Sequence, residues 1–154
     1  MGTMNQFIVF KLASEEFGVE INKVQEILKP QPVTKLPQAA GFIEGITNLR
    51  GDIITIIDLR KRLDFPLNDQ GEDRILVVKI NDIDVGFVVD DASEVIRIEE
   101  EQIAAPKKGI AGIKTEYLEG IAKLKERLII ILDLDKILST EDQIKIEEIA
   151  ENHQ

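Results

Sequence analysis

The sequence predicts a mainly β protein made of two small barrels side by side, with a few short helices and one longer helix near the C-terminus. Three observations predict it: the chain repeats itself, its apolar residues fall in runs too short for free-standing helices, and turn-forming residues separate those runs. Residues 42–63, FIEGITNLRGDIITIIDLRKRL, align without a gap on residues 117–138, YLEGIAKLKERLIIILDLDKIL, at an offset of 75. Ten of these 22 positions are identical, among them Glu44/Glu119, Gly45/Gly120, Ile54/Ile129, Ile56/Ile131 and Asp58/Asp133. Average residue usage would give about two by chance. A fainter echo joins residues 8–28 to residues 76–96 at an offset of 68, matching Lys11/Lys79, Gly18/Gly86 and Glu26/Glu94. The chain therefore reads as two copies of a unit of about 60–70 residues, the size of a small domain.

Each copy opens with strands. Residues 7–12 and 75–80 are short runs of β-formers, and Phe17, Val19 and Ile21 alternate with polar residues as a half-buried strand requires. Ala13-Ser14-Glu15-Glu16 and Asn81-Asp82 supply the turns of two short hairpins. Residues 53–57 and 128–132 are five-residue apolar runs suited to strands buried on both faces. Each ends at an aspartate, Asp58 or Asp133, placed to cap a short helix over 59–63 or 134–138. Pro66, Asn68, Asp69 and Gly71 mark residues 64–73 as the link between the copies. The last helix is expected over 139–152, capped by Ser139 or Thr140, with Ile146, Ile149 and Ala150 on one face.

Composition removes whole classes of chemistry. The 154 residues carry a formal charge of −10 and contain no cysteine, no tryptophan and one histidine. The acidity opposes binding to nucleic acid or anionic lipid, and no run is long and apolar enough to span a membrane. No secretory signal is evident, so a cytoplasmic chain is expected. Without cysteine there are no disulfides, thiolate metal sites or thiol nucleophiles. His153 sits next to the last residue, a poor place for a general base or a metal ligand. Asp58, Asp90, Asp91 and Asp133 remain as carboxylates for acid–base work, and capping is the simpler role for Asp58 and Asp133. Residues 82–86 miss the spacing of a calcium loop, and residues 108–114 miss that of a phosphate loop. No catalytic group, metal or cofactor is expected, which leaves binding surfaces as the means of action.

The segment 42–63 resembles the signature block of the CheW family, the coupling proteins of bacterial and archaeal chemotaxis. FGVEINKVQEIL (residues 17–28), VGFVVDDASEVI (85–96), EEEQI (99–103) and EYLEGIAKLKERLIIILDLDKIL (116–138) resemble the family's other motifs in order and spacing. The resemblance implies one CheW-like domain over 6–154, made of two five-stranded barrels similar to Src-homology-3 barrels. By sequence halves the subdomains are 14–70 and 71–138, the first strand 7–12 is open to either barrel, and 139–152 form the C-terminal helix. The resemblance also implies a non-enzymatic adaptor at membrane-associated arrays, joining chemoreceptor tips to the regulatory domain of the histidine kinase CheA. A scaffold of a different receptor–kinase pathway is the neighbouring reading, and a carboxylate-dependent hydrolase the one from another class. Receptor contact is implied at Val24, Glu26, Ile27, Gly45, Arg50 and Val95, and kinase contact at Gly51, Ile53, Gly86 and Gly120. Beside these stand plainer readings: Arg50 pairs with Glu26 and orders a loop, and each glycine serves the backbone.

Overall fold

The computed structural model describes residues 4–36, 41–67, 72–106 and 113–152. His153, most of the 108–114 segment and Asn68, Asp69 and Gly71 of the expected link lie outside these residues. Eleven strands and three α-helices follow in chain order: β1 (Met4–Leu12), β2 (Glu15–Glu20), β3 (Val24–Leu28), β4 (Ile43–Leu49), β5 (Asp52–Asp58), α1 (Leu59–Arg62), β6 (Arg74–Ile80), β7 (Ile83–Val89), β8 (Asp91–Glu99), β9 (Ile103–Ala104), β10 (Leu118–Lys123), β11 (Leu128–Leu132), α2 (Leu134–Ile137) and α3 (Thr140–Asn152). Ile21, expected to continue a strand, instead opens the 3-10 turn Ile21–Lys23. Asp58 and Asp133 cap α1 and α2 as expected, their carboxylates accepting from the backbone N–H of Arg60 and Asp135.

The strands form a five-stranded sheet, ordered β3-β6-β7-β5-β4, and a six-stranded sheet, ordered β8-β1-β2-β11-β10-β9. Strand pairing cuts across the sequence repeat. The opening hairpin of each half, β1–β2 or β6–β7, joins the sheet built by the other half. The five-stranded unit is therefore the continuous stretch from β3 to β7, and the six-stranded unit combines β1–β2 with β8–β11. The boundaries expected from the halves, 14–70 and 71–138, are corrected accordingly, and strand 7–12 belongs with β8. The chain passes between the units at Ile21–Lys23 and again at Asp90.

A repeated glycine sits at each junction. Gly18 lies opposite Ile131 in the parallel β2–β11 pair, and Gly86 lies opposite Ile56 in the parallel β7–β5 pair. A methyl group on Gly18 would come within 3.0 Å of Ile131 and 3.2 Å of Ile129; on Gly86 it would come within 2.7 Å of Ile75 and 2.9 Å of Ile56. Each half thus carries a flat spot on its hairpin that receives the isoleucine strand of the other. The hairpin turns also match. Ala13-Ser14 and Asn81-Asp82 all adopt positive φ, as the two-residue loops that suit twisted strands demand.

Alternation along the apolar strands fills three cores. Ile54, Ile56, Ile75 and Val77 fill the five-stranded unit, joined by Leu28, Leu49 and Val88, so that all five strands contribute. Phe7, Val9, Ile98, Ala122, Ile129 and Ile131 fill the six-stranded one. The intervening residues of the same strands, such as Ile8, Phe10 and Leu12 of β1, Leu76, Val78 and Ile80 of β6, and Ile130 and Leu132 of β11, point the other way into a third cluster between the units. Among the described residues that cluster is the largest, with 25 of them buried in it. Burying each large side chain contributes about 1.5–3 kcal/mol, so the contact between the units outweighs either interior. The sixth strand is the two-residue β9, whose counterpart in the first half is a single bridge between Thr34 and Ile46. Helix α3 closes one end of the shared core through buried Ile146.

Candidate partner-binding surfaces

Strands β3 and β8 are edge strands, one in each sheet, and they carry most of the residues implied in receptor contact. Opposed residues of an antiparallel pair share a face. Val24 and Ile27 stand opposite Val78 and Leu76, and Val95 stands opposite Ile8. Leu76, Val78 and Ile8 all belong to the shared core, so Val24, Ile27 and Val95 continue its apolar surface outward along both edges. Ile27 remains 39% exposed and Val95 51% exposed. A backbone bulge at Gln25 turns Glu26 to the opposite face, beside Val77. There its carboxylate accepts a hydrogen bond from Arg50, at the tip of the β4–β5 hairpin. The hydrogen bond and charge of Glu26 raise the pKa of the exposed Arg50 guanidinium. Arg50 and Gly51 both adopt positive φ, and Asn48 accepts from the Gly51 N–H at 2.9 Å. The structure thus brings Glu26 and Arg50 together at one barrel end and sets Val24, Ile27 and Val95 along the rim of the shared core.

The buried glycines have a different role. Gly45 follows a bulge in β4 with φ of +148°, and a methyl group there would lie 2.0 Å from the Thr34 carbonyl oxygen. Gly120 follows the equivalent bulge in β10, and its methyl group would meet Ile103 at 2.5 Å and the Ala104 carbonyl oxygen at 2.9 Å. Gly86 is enclosed by Ile75 and Ile56. These three positions need glycine for close approach of neighbouring chain, and none of them presents a side-chain surface. Of the residues implied in kinase contact, Gly51 is exposed and Ile53 half-buried at the β4–β5 turn.

A second clasp repeats the first. Glu94 of β8, the repeat partner of Glu26, accepts two hydrogen bonds from Arg127 at 2.8 and 3.1 Å, and Arg127 also donates to Glu16 at 2.9 Å. The hydrogen bonds from Arg127 hold the Glu94 carboxyl below its usual pKa. Beside it Leu128 is 63% exposed. The Glu26/Glu94 match signals this pair in the sequence. Its cation is hidden, because Lys125 is the aligned partner of Arg50 and Arg127 takes its place.

Of the carboxylates considered for catalysis, Asp58, Asp90 and Asp133 are held by cations or backbone. Arg60 is buried and donates to Asp58 at 2.9 and 3.0 Å, to Asp90 at 2.8 Å and to Asp73 at 3.2 Å. The second oxygen of Asp90 accepts from the Ala13 N–H at 2.7 Å. Burial raises the pKa of Asp73, with Arg60 opposing it. A cavity of about 200 Å³ opens beside this cluster, lined by Val33, Ile56, Ile75 and Val88, and of the acids on its wall Asp58 and Asp73 are engaged by Arg60 and Glu44 by Lys61. Asp133 and its neighbours surround Lys23, which lies 3.3 Å from Glu119, 3.6 Å from Asp133 and 3.7 Å from Asp135. Among the described residues no group of three or more acidic or histidine side chains is arranged to hold a metal. No described helix is long and apolar enough to cross a membrane.

Comparison with known proteins agrees with this architecture. The family model described as CheW-like domain matches residues 6–142. The chain is 38% identical over 149 residues to the chemotaxis protein CheW of Klebsiella aerogenes, covering 96% of this chain and 90% of that one. It is 35% identical over 140 residues to the chemotaxis protein CheW of Bacillus subtilis, covering 90% of each. The crystal structure of the scaffolding protein TtCheW from Thermoanaerobacter tengcongensis superposes with a TM-score of 0.82 at 38% identity, over 92% of both chains. A duplicated β architecture with unlike surfaces on its two edges, matched along nearly its whole length, places this chain in the CheW family.

Proposed function

We propose that this chain is a non-enzymatic adaptor of chemotaxis, coupling the cytoplasmic tips of chemoreceptors to the regulatory domain of the histidine kinase CheA and supporting signalling arrays. The observation that carries this reading is the exposed apolar surface of Val24, Ile27 and Val95 on two edge strands, with the Glu26–Arg50 clasp on β3. Such a surface suits the apolar stripe of an amphipathic helical hairpin, and the clasp offers a fixed charge to orient it. The β4–β5 tip at Gly51–Ile53, next to Arg50 on the same hairpin, is the candidate kinase contact, and a chain that holds both partners raises their effective concentration. The adaptor would work in the cytoplasm, at receptor arrays it reaches through its partners.

Co-sedimentation of the chain with a receptor cytoplasmic fragment and with CheA, separately and together, tests the reading. Binding to both is expected, and failure to bind either overturns it. Arg50→Ala should weaken receptor binding by about 5- to 30-fold while the melting curve stays that of the parent, because the pair it removes is exposed. Unchanged receptor affinity would remove Arg50 from the contact.

A further inference from the structure

The two places where the chain passes between the barrels carry opposite charges, and each faces its opposite. At the second, Asp90 meets Arg60 of the first half. At the first, Lys23 meets Glu119, Asp133 and Asp135 of the second half. The repeat makes these groups equivalent: Arg60 aligns with Asp135 and Asp58 with Asp133 at the offset of 75, while Asn22 and Lys23 align with Asp90 and Asp91 at the offset of 68. The first half is therefore basic at its passage and in the first turn of its helix α1, through Lys23 and Arg60. The second half is acidic at both, through Asp90, Asp91 and Asp135.

The same geometry can in principle assemble from like halves, because each half carries the hairpin, the flat glycine and the isoleucine strand that the exchange requires. A dimer pairing second halves would set Asp133 and Asp135 against Asp73, Asp90 and Asp91 with no buried cation in the place of Arg60; Lys136, 4.0 Å from Asp133, is a largely exposed surface charge. Pairing first halves would set Arg60 against Asn5, Asn22 and Lys23, the counterparts of Asp73, Asp90 and Asp91, and would leave its guanidinium with Asp58 alone. Burying charge without its partner is strongly unfavourable, so both alternatives are penalised. The Glu16–Arg127 pair discriminates less: like pairing of first halves would oppose Glu16 to Asp52, yet like pairing of second halves would still match Arg127 with Asp84.

We propose that the Arg60 and Lys23 clusters are a pairing code: each half's docking surface fits only the opposite half, whether supplied by the same chain or by a second copy, and rejects its own kind. The code acts on partner choice, a role distinct from adding stability, and its test is the oligomeric state of full-length variants. Arg60→Met with Asp58→Asn and Asp90→Asn removes the buried charges, leaving the partly exposed Asp73, and keeps acceptors for the Arg60 and Ala13 N–H groups. After refolding at high protein concentration, sedimentation should show a dimer of native strand content about tenfold more abundant than in the parent chain. A triple variant that folds and sediments as the parent does at every concentration overturns the proposal. Lys23→Glu provides the second arm on the surface, where folding does not depend on it. Its carboxylate would face three acids in the second half, Glu119, Asp133 and Asp135, but in another first half would face Glu44 and Asp58 together with Arg60, so its dimer fraction should exceed that of Lys23→Gln by about threefold. Equal fractions for the two Lys23 variants overturn the proposal, and this comparison decides if the triple variant does not fold.

Discussion

At the second passage between the barrels the acid is buried and the cation beside it is buried too, whereas at the first passage 30% of the Lys23 side chain is exposed among its carboxylates. Asp90 also accepts the Ala13 N–H, so the β1–β2 turn is tied into the same cluster. Among the described residues the carboxylates around Lys23 show no such tie to the turn of the other hairpin. Two junctions of the same topology thus depend on charge to very different degrees, because an ion pair removed from water has no solvent to replace a lost partner.

Breaking the buried junction should produce the largest effect. Arg60→Met leaves Asp58 and Asp90 buried without their cation and should cost about 3–5 kcal/mol in urea unfolding. The triple variant that also neutralises both aspartates should recover most of that loss, since the penalty comes from the orphaned charges. A single variant no less stable than the triple would show that Arg60 contributes packing only. The repeat glycines sharpen the comparison next. Gly86→Ala forces contacts of 2.7 and 2.9 Å where Gly18→Ala forces 3.0 and 3.2 Å, so the Gly86 variant should lose about 1–3 kcal/mol and the Gly18 variant less. Equal losses would mean that both isoleucine strands yield alike.

Lys23→Ala should have the smallest effect, about 0.2–1 kcal/mol at neutral pH and less in high salt. Burial lowers the pKa of Lys23, but Asp133, Glu119 and Asp135 together outweigh it and raise the folded-state value above 10.5. The stability it supplies is therefore complete below pH 10.5 and disappears as pH rises through the folded-state value. Parent and variant should converge in alkaline unfolding titrations. At the other end of the scale Glu94, held low by Arg127, supplies stability above its unfolded pKa of 4.5 that is lost as pH falls through the lower folded-state value.

Much of the architecture was legible in the residues. The 22-residue repeat announced two units, the five-residue isoleucine runs announced strands covered on both faces, and the aspartates after them announced helix caps. The exchange of hairpins was not legible, because it depends on a parallel pairing between distant strands that local periodicity does not encode. Its one trace was the Gly18/Gly86 match, which reads as a turn or bulge until the facing isoleucines are known. Of the site, the Glu26–Arg50 pair and the apolar positions were nameable from the resemblance. Three of the glycines named with them belong to the interior. Arg60 escaped notice because an arginine in a four-residue helix reads as solvated, and only the three-dimensional convergence of Asp58, Asp73 and Asp90 removes it from water.

The passages at Ile21–Lys23 and Asp90 also have a mechanical meaning. A pull on one barrel reaches the other through two short covalent spans in parallel, and through a core that would have to shear along its whole width. Two domains joined end to end by a single linker would flex under such a load. This chain has no free joint between its barrels, so a tilt or twist imposed on the rim at β3 and β8 arrives at the β4–β5 turn with little lost to slack.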